Sequence, residues 1–217
     1  MNIVYGAILS PFVRKVLMVL EHKQIPYQLE NILPFRTPAD YIRLHPLRKV
    51  PAFKDEYTTL ADSSIICDYL EHKYPQSPLY PKTPVERAKA LWFEEYADSH
   101  LHPLLGPGLF LERLVAPILQ KRKPNEEVIA KSLKALPAVQ DYLESQVPSS
   151  GFLIGADLTI ADLILPGVFL NAKYAGHEVD ARNWPRLAAY LKRMHTNPLY
   201  VTRVEQERVV LDGLRPR

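Results

Sequence analysis

The sequence predicts two domains, an α/β domain at the amino terminus and an all-α domain that follows it. Early in the chain, apolar residues alternate as in strands or recur with helical spacing, whereas later only helical spacing recurs. Between these parts, four prolines stand three residues apart, which favours an extended and solvated connection. We therefore predict a first domain, a linker and a helical domain over residues 1–76, 77–84 and 85–217.

The bulk composition indicates a globular protein of the cell interior. The chain has 217 residues, of which 47% are hydrophobic, enough for one large domain or two small ones. The net charge of +3 is not gathered in a basic arm, so nucleic acid is not an expected partner. No apolar stretch approaches membrane-spanning length, and the first residues do not resemble a signal peptide. With Cys67 as the single cysteine, we expect a cytoplasmic protein without an internal disulfide.

The first domain opens with a strand, a helix and a second strand. A short apolar run predicts a strand over residues 2–6, and alternation around Tyr27 and Leu29 predicts the second. Between them, residues 11–23 have the spacing of a helix. The apolar residues on its predicted buried face are Val13, Val16, Leu17 and Leu20.

The first domain continues with a short helix, a hairpin and a longer helix. Thr37 is the expected cap of the short helix, with Asp40 three residues on. Two short runs around Phe53 and Leu60 predict a hairpin that turns at Asp55-Glu56. A helix is predicted over Ser63–Lys73, and its expected buried residues are Ile65, Ile66, Tyr69 and Leu70. The order β-α-β-α-β-β-α predicts a small mixed sheet.

The second domain is predicted to begin at a helix capped by Thr83, with Pro84 in its first position. Its expected buried face carries Ala88, Leu91, Trp92 and Tyr96. The Gly-Pro-Gly sequence at 106–108 is expected to interrupt the helix, which would resume near Leu109.

Three further helix starts are predicted in the second domain. Asn125 caps a helix in which Pro137 should cause a kink or a break. Thr159 and Asp162 have the spacing of a reciprocal capping box. Trp184 precedes a late helix, and no element is predicted after Leu199.

Three local signals in the first domain indicate chemistry. The pair Ser10-Pro11 suits a helix start, because serine accepts from free backbone N–H groups and proline has no N–H to leave unpaired. A hydroxyl and free N–H groups at the positive end of a helix also suit an anion, including a thiolate. The other two signals are Lys49-Val50-Pro51 before a strand and Asp62-Ser63 at a helix start.

As a set, these signals resemble those of the glutathione transferases. In the second half, residues 87–96 and the segment GADLTIAD at 155–162 also resemble that family, so the match covers nearly the whole chain. The resemblance implies a thioredoxin-like first domain, an all-helical second domain and a homodimer. It also implies glutathione as co-substrate and no metal.

The resemblance implies a catalytic role for Ser10, whose hydroxyl would donate to the glutathione sulfur. The alternative is that Ser10 is only a helix cap. Some classes of the family place a catalytic tyrosine near the end of the first strand, so Tyr5 is the rival, although it also fits a buried strand residue. Family members with cysteine in place of this serine form mixed disulfides with glutathione, a reaction that Ser10 disfavours.

The resemblance also implies the glutathione-binding residues. In the family, the bond corresponding to Val50-Pro51 is cis, and the backbone of the residue before proline pairs with the cysteinyl amide, as an added strand would. Asp62 and Ser63 would hold the γ-glutamyl end, with the carboxylate at the helix start. Arg36 and Lys49 are the expected partners of the glycyl carboxylate. The alternatives for that role are His45, Arg48 and Arg14.

The resemblance implies that the second substrate is a hydrophobic electrophile, conjugated to glutathione as in detoxification. The candidate walls of its pocket, any of which could instead be core, are Leu9, Phe12, Leu105, Phe110 and Tyr174. Two other functions stay open. The first is a glutathione-dependent peroxidase or isomerase on the same site, and the second is a non-catalytic binding or regulatory protein of this fold.

Overall fold

The computed structural model describes residues 1–214. The chain divides into two compact units between Tyr80 and Pro81, within the stretch predicted as a linker. The first unit contains strands and helices, whereas the described part of the second contains helices and no strands. The predicted fold class is therefore confirmed.

The amino-terminal unit is built on a four-stranded mixed sheet. Its strands are β1 Asn2–Tyr5, β2 Tyr27–Glu30, β3 Ala52–Lys54 and β4 Thr59–Ala61, in the order β2-β1-β3-β4. Strands β1 and β2 are parallel, and β3 is antiparallel to both β1 and β4. A parallel pair needs a crossover, and helix α1 Pro11–His22 provides it.

The predicted buried face of α1 is correct. It supplies much of the core of this unit, together with Val4 and Phe53, which are opposite each other on β1 and β3. The residues of that face, all fully buried, are Val13, Val16, Leu17 and Leu20.

The short helix predicted from Thr37 begins later and differs in type. It is a 3₁₀ turn over Ala39–Arg43, and no side chain caps it. Pro38 precedes it in an extended conformation, with φ −53° and ψ 154°. Thr37 therefore lies one residue too early to cap the turn.

The hairpin forms as predicted although it lacks a glycine. The carboxylate of Asp55 accepts from the backbone N–H groups of Tyr57 and Thr58 at 2.8 and 2.9 Å, which closes the turn. The same carboxylate accepts from Lys73 Nζ at 2.7 Å and from the Tyr69 hydroxyl at 2.6 Å. Burial would raise the pKa of Asp55, but these donors hold it well below its ordinary range.

Helix α2, Ser63–Lys73, has the predicted bounds but one wrong core residue. Ile66, Cys67 and Leu70 are fully buried, whereas Ile65 is 56% exposed. Only one face of this helix packs inward, and Ile65 lies outside it.

In the described part of the carboxy-terminal unit, the regular elements are all helices. Its helices are α3 Pro84–Glu95, α4 His102–Leu105, α5 Ala116–Ile118, α6 Glu126–Gln146, α7 Ile160–Tyr174, α8 Pro185–His195 and α9 Pro198–Leu214. Two π-helical segments, Tyr96–Leu101 and Gly106–Val115, connect α3, α4 and α5.

The α-helix ends at Leu105, in agreement with the interruption predicted at Gly106-Pro107-Gly108, but the chain continues at once as a π-helical segment instead of resuming near Leu109. The π-helical segment starting at Gly106 carries the chain past the proline, which would break regular α-helical hydrogen bonding. A Cβ at Gly108 would overlap the side chain of Ser132 on α6. This glycine therefore permits a close helix contact.

The predicted buried face of α3 is wrong. Ala88 and Leu91 are exposed, Trp92 is 52% exposed, and Tyr96 is half-buried. The residues that α3 and the segment after it bury instead include Ala90, Phe93 and Ala97. Helix α3 has apolar residues on two faces, and periodicity does not tell which one packs against the core.

Helix α6 starts as predicted, with Asn125 Oδ1 accepting from the N–H groups of Glu127 and Val128 at 3.1 and 3.2 Å. Pro137 does not split this helix, which is continuous over its 21 residues. Pro137 is exposed, so it lies on the outer face of this helix.

The start of α7 forms the predicted capping box around a fully buried carboxylate. Asp162 accepts from the N–H and hydroxyl of Thr159, from Leu153 N–H and from the Tyr190 hydroxyl, at 2.7–3.0 Å. Burial raises the pKa of Asp162, and these four donors oppose that rise. One side chain thereby joins α7, α8 and the loop before α7.

Helix α9 has no counterpart in the sequence prediction. The residues that it buries are Tyr200, Arg203 and Glu207, so hydrophobic periodicity does not reveal it. The Tyr200 hydroxyl donates to the carbonyls of Leu163 and Asp162 at 2.7 and 3.2 Å. Pro166 lacks the N–H that would otherwise bond to Asp162, so Tyr200 replaces a missing helical donor.

Candidate functional site

At the start of α1, the Ser10 hydroxyl accepts one hydrogen bond but donates none within the described residues. Ser10 is half-buried, and its Oγ accepts a long hydrogen bond of 3.4 Å from Val13 N–H. Among residues 1–214, no acceptor lies within hydrogen-bond distance for its hydroxyl proton. The hydroxyl can therefore donate to an anion at the positive end of α1.

Gly6 brings the end of β1 against α1 and Val50. A Cβ at Gly6 would overlap the Val13 side chain and lie 3.2 Å from Val50 Cβ. Such a close approach requires glycine. The contact places Val50 beside the first turn of α1, where Ser10 lies.

Tyr5, the rival of Ser10, is the last residue of β1. It is half-buried and is paired in register with Glu30 on β2 and Ala52 on β3. Its backbone is therefore held on both sides by the sheet.

The bond between Val50 and Pro51 is cis, as the resemblance implies. Val50 is buried, whereas Lys49 is exposed. The Lys49 carbonyl accepts from the Tyr41 hydroxyl at 2.9 Å. Burial raises the pKa of Tyr41 to about 12, so this hydroxyl keeps its proton at neutral pH.

Asp62 caps α2 from a strained backbone conformation. Its φ of +76° lies in a region that residues with side chains avoid, and its carboxylate accepts from Ser64 N–H at 2.9 Å. Strain of this kind clusters at binding sites. Ser63, the first residue of the helix, is buried.

The starts of α1 and α2 are directly connected. Lys15, fully buried in the second turn of α1, donates from Nζ to the Ser64 hydroxyl at 3.1 Å. Ser64 lies in the first turn of α2. The two helices therefore present their positive ends in the same region of the amino-terminal unit.

His45 lies close enough to both Lys49 and Asp62 to be affected by their charges. Its Nδ1 accepts from Leu47 N–H at 3.3 Å. Burial lowers the pKa of His45, the negative charge of Asp62 raises it, and the positive charge of Lys49 lowers it. Lys49 and Asp62 are thus both within electrostatic reach of this buried imidazole.

The structure brings most of the predicted glutathione-binding residues together. Gly6 brings Val50, the neighbour of Lys49, beside the first turn of α1, where Ser10 lies. The hydrogen bond from Lys15 to Ser64 links α1 to the first turn of α2, which begins at Asp62 and Ser63. Arg36 is not among them. It lies in the exposed stretch between β2 and the 3₁₀ turn, and its side chain makes no hydrogen bond within the described residues.

The predicted walls of the electrophile pocket belong to both units. Leu9 is buried and Phe12 is half-buried in the first unit. In the second unit, Leu105 is fully buried, which assigns it to the core, while Phe110 is half-buried. Tyr174 is half-buried and donates to Glu207 Oε2 at 2.7 Å.

The carboxy-terminal unit contains a cavity of about 220 Å³ beside Tyr174. Its lining residues are Leu114, Ile118, Lys173, Tyr174, Leu211 and Leu214. Of these, only Tyr174 was predicted from the sequence. Leu211 and Leu214 belong to α9, whose polar buried face gave no hydrophobic signal.

Residues 1–214 contain neither a metal-binding cluster nor a membrane-spanning helix. No cluster of three or more His, Cys, Asp or Glu side chains is arranged to hold a metal ion. No helix in this part of the chain combines the length and apolar character needed to cross a membrane.

Two family models match the chain. The glutathione S-transferase N-terminal domain matches residues 4–78, and the glutathione S-transferase C-terminal domain matches residues 110–199. Glutathione S-transferase 3 of Zea mays is 30% identical over 164 residues, which are 73% of this chain and 72% of that protein. A glutathione S-transferase of Triticum aestivum is 29% identical over 196 residues, 88% of either chain.

A relative that is not named as a glutathione S-transferase also matches, and so does a solved structure. A stringent starvation protein A homolog of Haemophilus ducreyi is 23% identical over 180 residues, 83% of this chain and 78% of that protein. The crystal structure of a glutathione S-transferase from Sinorhizobium meliloti superposes with a TM-score of 0.87. It is 20% identical and covers all of this chain, with 96% of its own length covered, which confirms the thioredoxin-like and all-α fold.

Proposed function

Since the chain belongs to the glutathione S-transferase family, we propose that it binds glutathione through its amino-terminal unit and conjugates it to a hydrophobic electrophile. The observation that supports this most directly is the Ser10 hydroxyl, which has a proton to donate at the positive end of α1.

The available interactions are sufficient to activate a thiol. A free thiol has a pKa of ~8.5, and lowering it by ~2 units requires a preference for the anion of ~2.7 kcal/mol. A hydroxyl donor to a charged acceptor contributes ~1.5–3 kcal/mol. The helix end adds ~0.3–1 kcal/mol. Ser10 and α1 can therefore hold the thiolate without a general base.

The peptide parts of glutathione would bind along the neighbouring segments. The backbone of Val50 pairs with the cysteinyl amide in the manner of an added strand. Ser63 and the start of α2 bind the γ-glutamyl carboxylate, and Asp62 binds the α-amino group. The strained conformation of Asp62 supports this role.

The structure favours Lys49 among the basic candidates for the glycyl carboxylate. Arg14 and His45 are buried, and Arg48 donates to a backbone carbonyl at 3.4 Å. Lys49 is exposed and adjoins Val50. Arg36 is also exposed and is the second choice.

The reaction is a nucleophilic attack by the bound sulfur. The thiol proton leaves to water, and Ser10 donates a hydrogen bond to the remaining thiolate. The thiolate forms a C–S bond with the electrophile. In a substitution, the leaving group departs with the bonding electron pair; in an addition, the electrophile takes up a proton from water. No covalent bond to the enzyme forms.

The thiolate absorbance of bound glutathione as a function of pH tests this role. We expect Ser10→Ala to raise the thiol pKa by about 1–2 units, because it removes a donor to a charged acceptor. Tyr5→Phe should leave the thiol pKa unchanged. If only the Tyr5 variant changes the thiol pKa, the catalytic hydroxyl belongs to Tyr5.

The alternatives separate in binding and turnover assays. Absence of retention on immobilised glutathione would overturn the proposal. Retention without turnover would instead support a binding protein. Halogenated arenes, epoxides and hydroperoxides, assayed side by side, distinguish conjugation from a peroxidase.

We also propose that two copies associate and that the protein works in the cytoplasm. Members of this family are typically dimeric, and the apolar residues Val85, Leu91 and Trp92 are exposed on α3. Cys67, the single cysteine of the chain, is buried and has no second cysteine to pair with, which is consistent with a reducing compartment. Sedimentation of the purified chain measures its oligomeric state.

A further inference from the structure

We infer that Tyr41 is a positioning residue for glutathione, because its hydroxyl orients the peptide group that links Lys49 to Val50. This inference rests on the proposed use of the Val50 backbone in glutathione binding. Tyr41 itself would not touch the ligand.

Tyr41 is bonded to both ends of the loop that leads to Val50. Its backbone carbonyl accepts from Leu44 and His45 N–H at 2.9 and 3.0 Å. Its hydroxyl donates to the Lys49 carbonyl at 2.9 Å, eight residues along the chain. The ring between them is 2% exposed. One rigid, buried side chain therefore spans the loop.

Two long hydrogen bonds elsewhere in the loop do not involve the peptide group between Lys49 and Val50: Leu47 N–H donates to His45 Nδ1 at 3.3 Å, and Arg48 Nη2 donates to the Ala39 carbonyl at 3.4 Å. Leu47 is 71% exposed, and Arg48 and Lys49 are exposed as well. Arg48 turns the chain with a φ of +52° and donates from its N–H to the His45 carbonyl at 2.8 Å. The orientation of the peptide group after Lys49 therefore depends on the Tyr41 hydroxyl.

The planarity of the peptide group makes this bond relevant to the ligand. The Lys49 carbonyl and the Val50 N–H belong to one trans peptide group, in which they point in opposite directions. A donor that fixes the carbonyl oxygen also fixes the direction of the N–H. Hydrogen bonding to the oxygen further polarises the N–H and makes it a better donor. Tyr41 thus prepares Val50 to bind a peptide.

The test compares Tyr41→Phe with Tyr200→Phe. Tyr200→Phe is the matched control, because it also removes a buried hydroxyl that donates to a backbone carbonyl, at 2.7 Å. Tyr200 lies in the carboxy-terminal unit, away from the proposed glutathione site. The ligands are glutathione and S-methylglutathione, which keeps the peptide but has no thiol. Calorimetry gives both dissociation constants, and thiolate absorbance gives the pKa of the bound thiol.

We expect Tyr41→Phe to weaken both ligands about 3- to 10-fold, the effect of one hydrogen bond, with no change in the thiol pKa. Tyr200→Phe should lower the unfolding temperature without changing either affinity. Wild-type affinities in Tyr41→Phe would overturn the inference. Equal losses of affinity in the two variants would also overturn it, because both would then reflect stability alone.

Amide hydrogen exchange of Val50 in the ligand-free protein provides a second readout. Tyr41→Phe should speed this exchange relative to wild type, whereas Tyr200→Phe should not. Unchanged exchange would contradict the inference even if glutathione fails to bind. Failure of the wild type to bind glutathione would instead overturn the proposed function, so the two failures are distinguishable.

Discussion

Helices α1 and α7 are both capped by a residue with a hydroxyl group, Ser10 and Thr159. Only the hydroxyl of Ser10 can still donate a hydrogen bond to a ligand. Thr159 is buried, and its N–H and hydroxyl both donate to Asp162 at 3.0 and 2.9 Å. Ser10 is half-buried, accepts one long bond, and has no acceptor for its proton among the described residues. A saturated helix start stabilises the fold, whereas an unsaturated and accessible one can serve a ligand.

The largest effect predicted from this comparison is that of Asp162→Ala. The substitution leaves four buried donors without an acceptor, and each such group costs ~1–3 kcal/mol. We expect a loss of at least about 3 kcal/mol in the free energy of unfolding, measured in urea.

Asp157→Ala is the matched control, because it removes an exposed carboxylate five residues earlier. Its effect should lie within about 0.5 kcal/mol of zero. Tyr190→Phe removes one of the four donors and should lose about 1 kcal/mol. If Asp162→Ala lost less than about 1 kcal/mol, the four hydrogen bonds to Asp162 would not contribute substantially to the stability of the fold.

The start of α6 extends the comparison to a charged acceptor from another segment. Glu112 accepts from Asn125 N–H at 2.8 Å and from the two Arg122 Nη atoms at 2.6 and 2.7 Å. The hydrogen bonds from Arg122 lower the pKa of Glu112 to about 2, from 4.5. The folded state therefore prefers the charged form, and this stability is lost as pH falls from about 4.5 towards 2.

Unfolding of wild type and Glu112→Gln between pH 6 and pH 2 measures this loss. We expect a difference of about 2 kcal/mol near neutral pH that shrinks below about pH 4.5. Glu178→Gln removes an exposed partner of Lys173 and should show little difference at any pH. A constant difference for Glu112→Gln would mean that its charge does not stabilise the fold.

How much of the fold could be predicted depends on whether the signals are local. Helix α2 was predicted with its bounds because Asp62 and Ser63 mark its start in the sequence itself. The face of α3 was wrong because Leu91 and Trp92 are apolar yet exposed. Helix α9 was missed because the face that it buries is polar.

The same distinction holds for the candidate site. Ser10, Val50 and Ser63 stand in short motifs, so a sequence suffices to propose them. The link from Tyr41 to Lys49 and the burial of His45 depend on folding of the loop between them. The spacing of residues in a sequence does not predict that the Tyr41 hydroxyl donates to the Lys49 carbonyl, eight positions away.

Apart from the control variants, the smallest predicted change in stability is that of Ser10→Ala. Loss of a serine cap costs ~0.5–2 kcal/mol, and the low end applies because its 3.4 Å bond is long and weak. We therefore expect a loss of about 0.5 kcal/mol in urea unfolding. Thr159→Ala, at the saturated helix start, should lose more, because it removes a buried hydroxyl that donates to Asp162.

This small loss matters because of what should accompany it. A residue that only caps a helix would change stability and leave the bound thiol as it was. Ser10→Ala should do the reverse, with little change in stability and a rise in the thiol pKa of glutathione. If Ser10→Ala instead lost as much stability as Thr159→Ala and kept the thiol pKa, Ser10 would be a cap like Thr159, and the difference between the two helix starts would have no functional meaning.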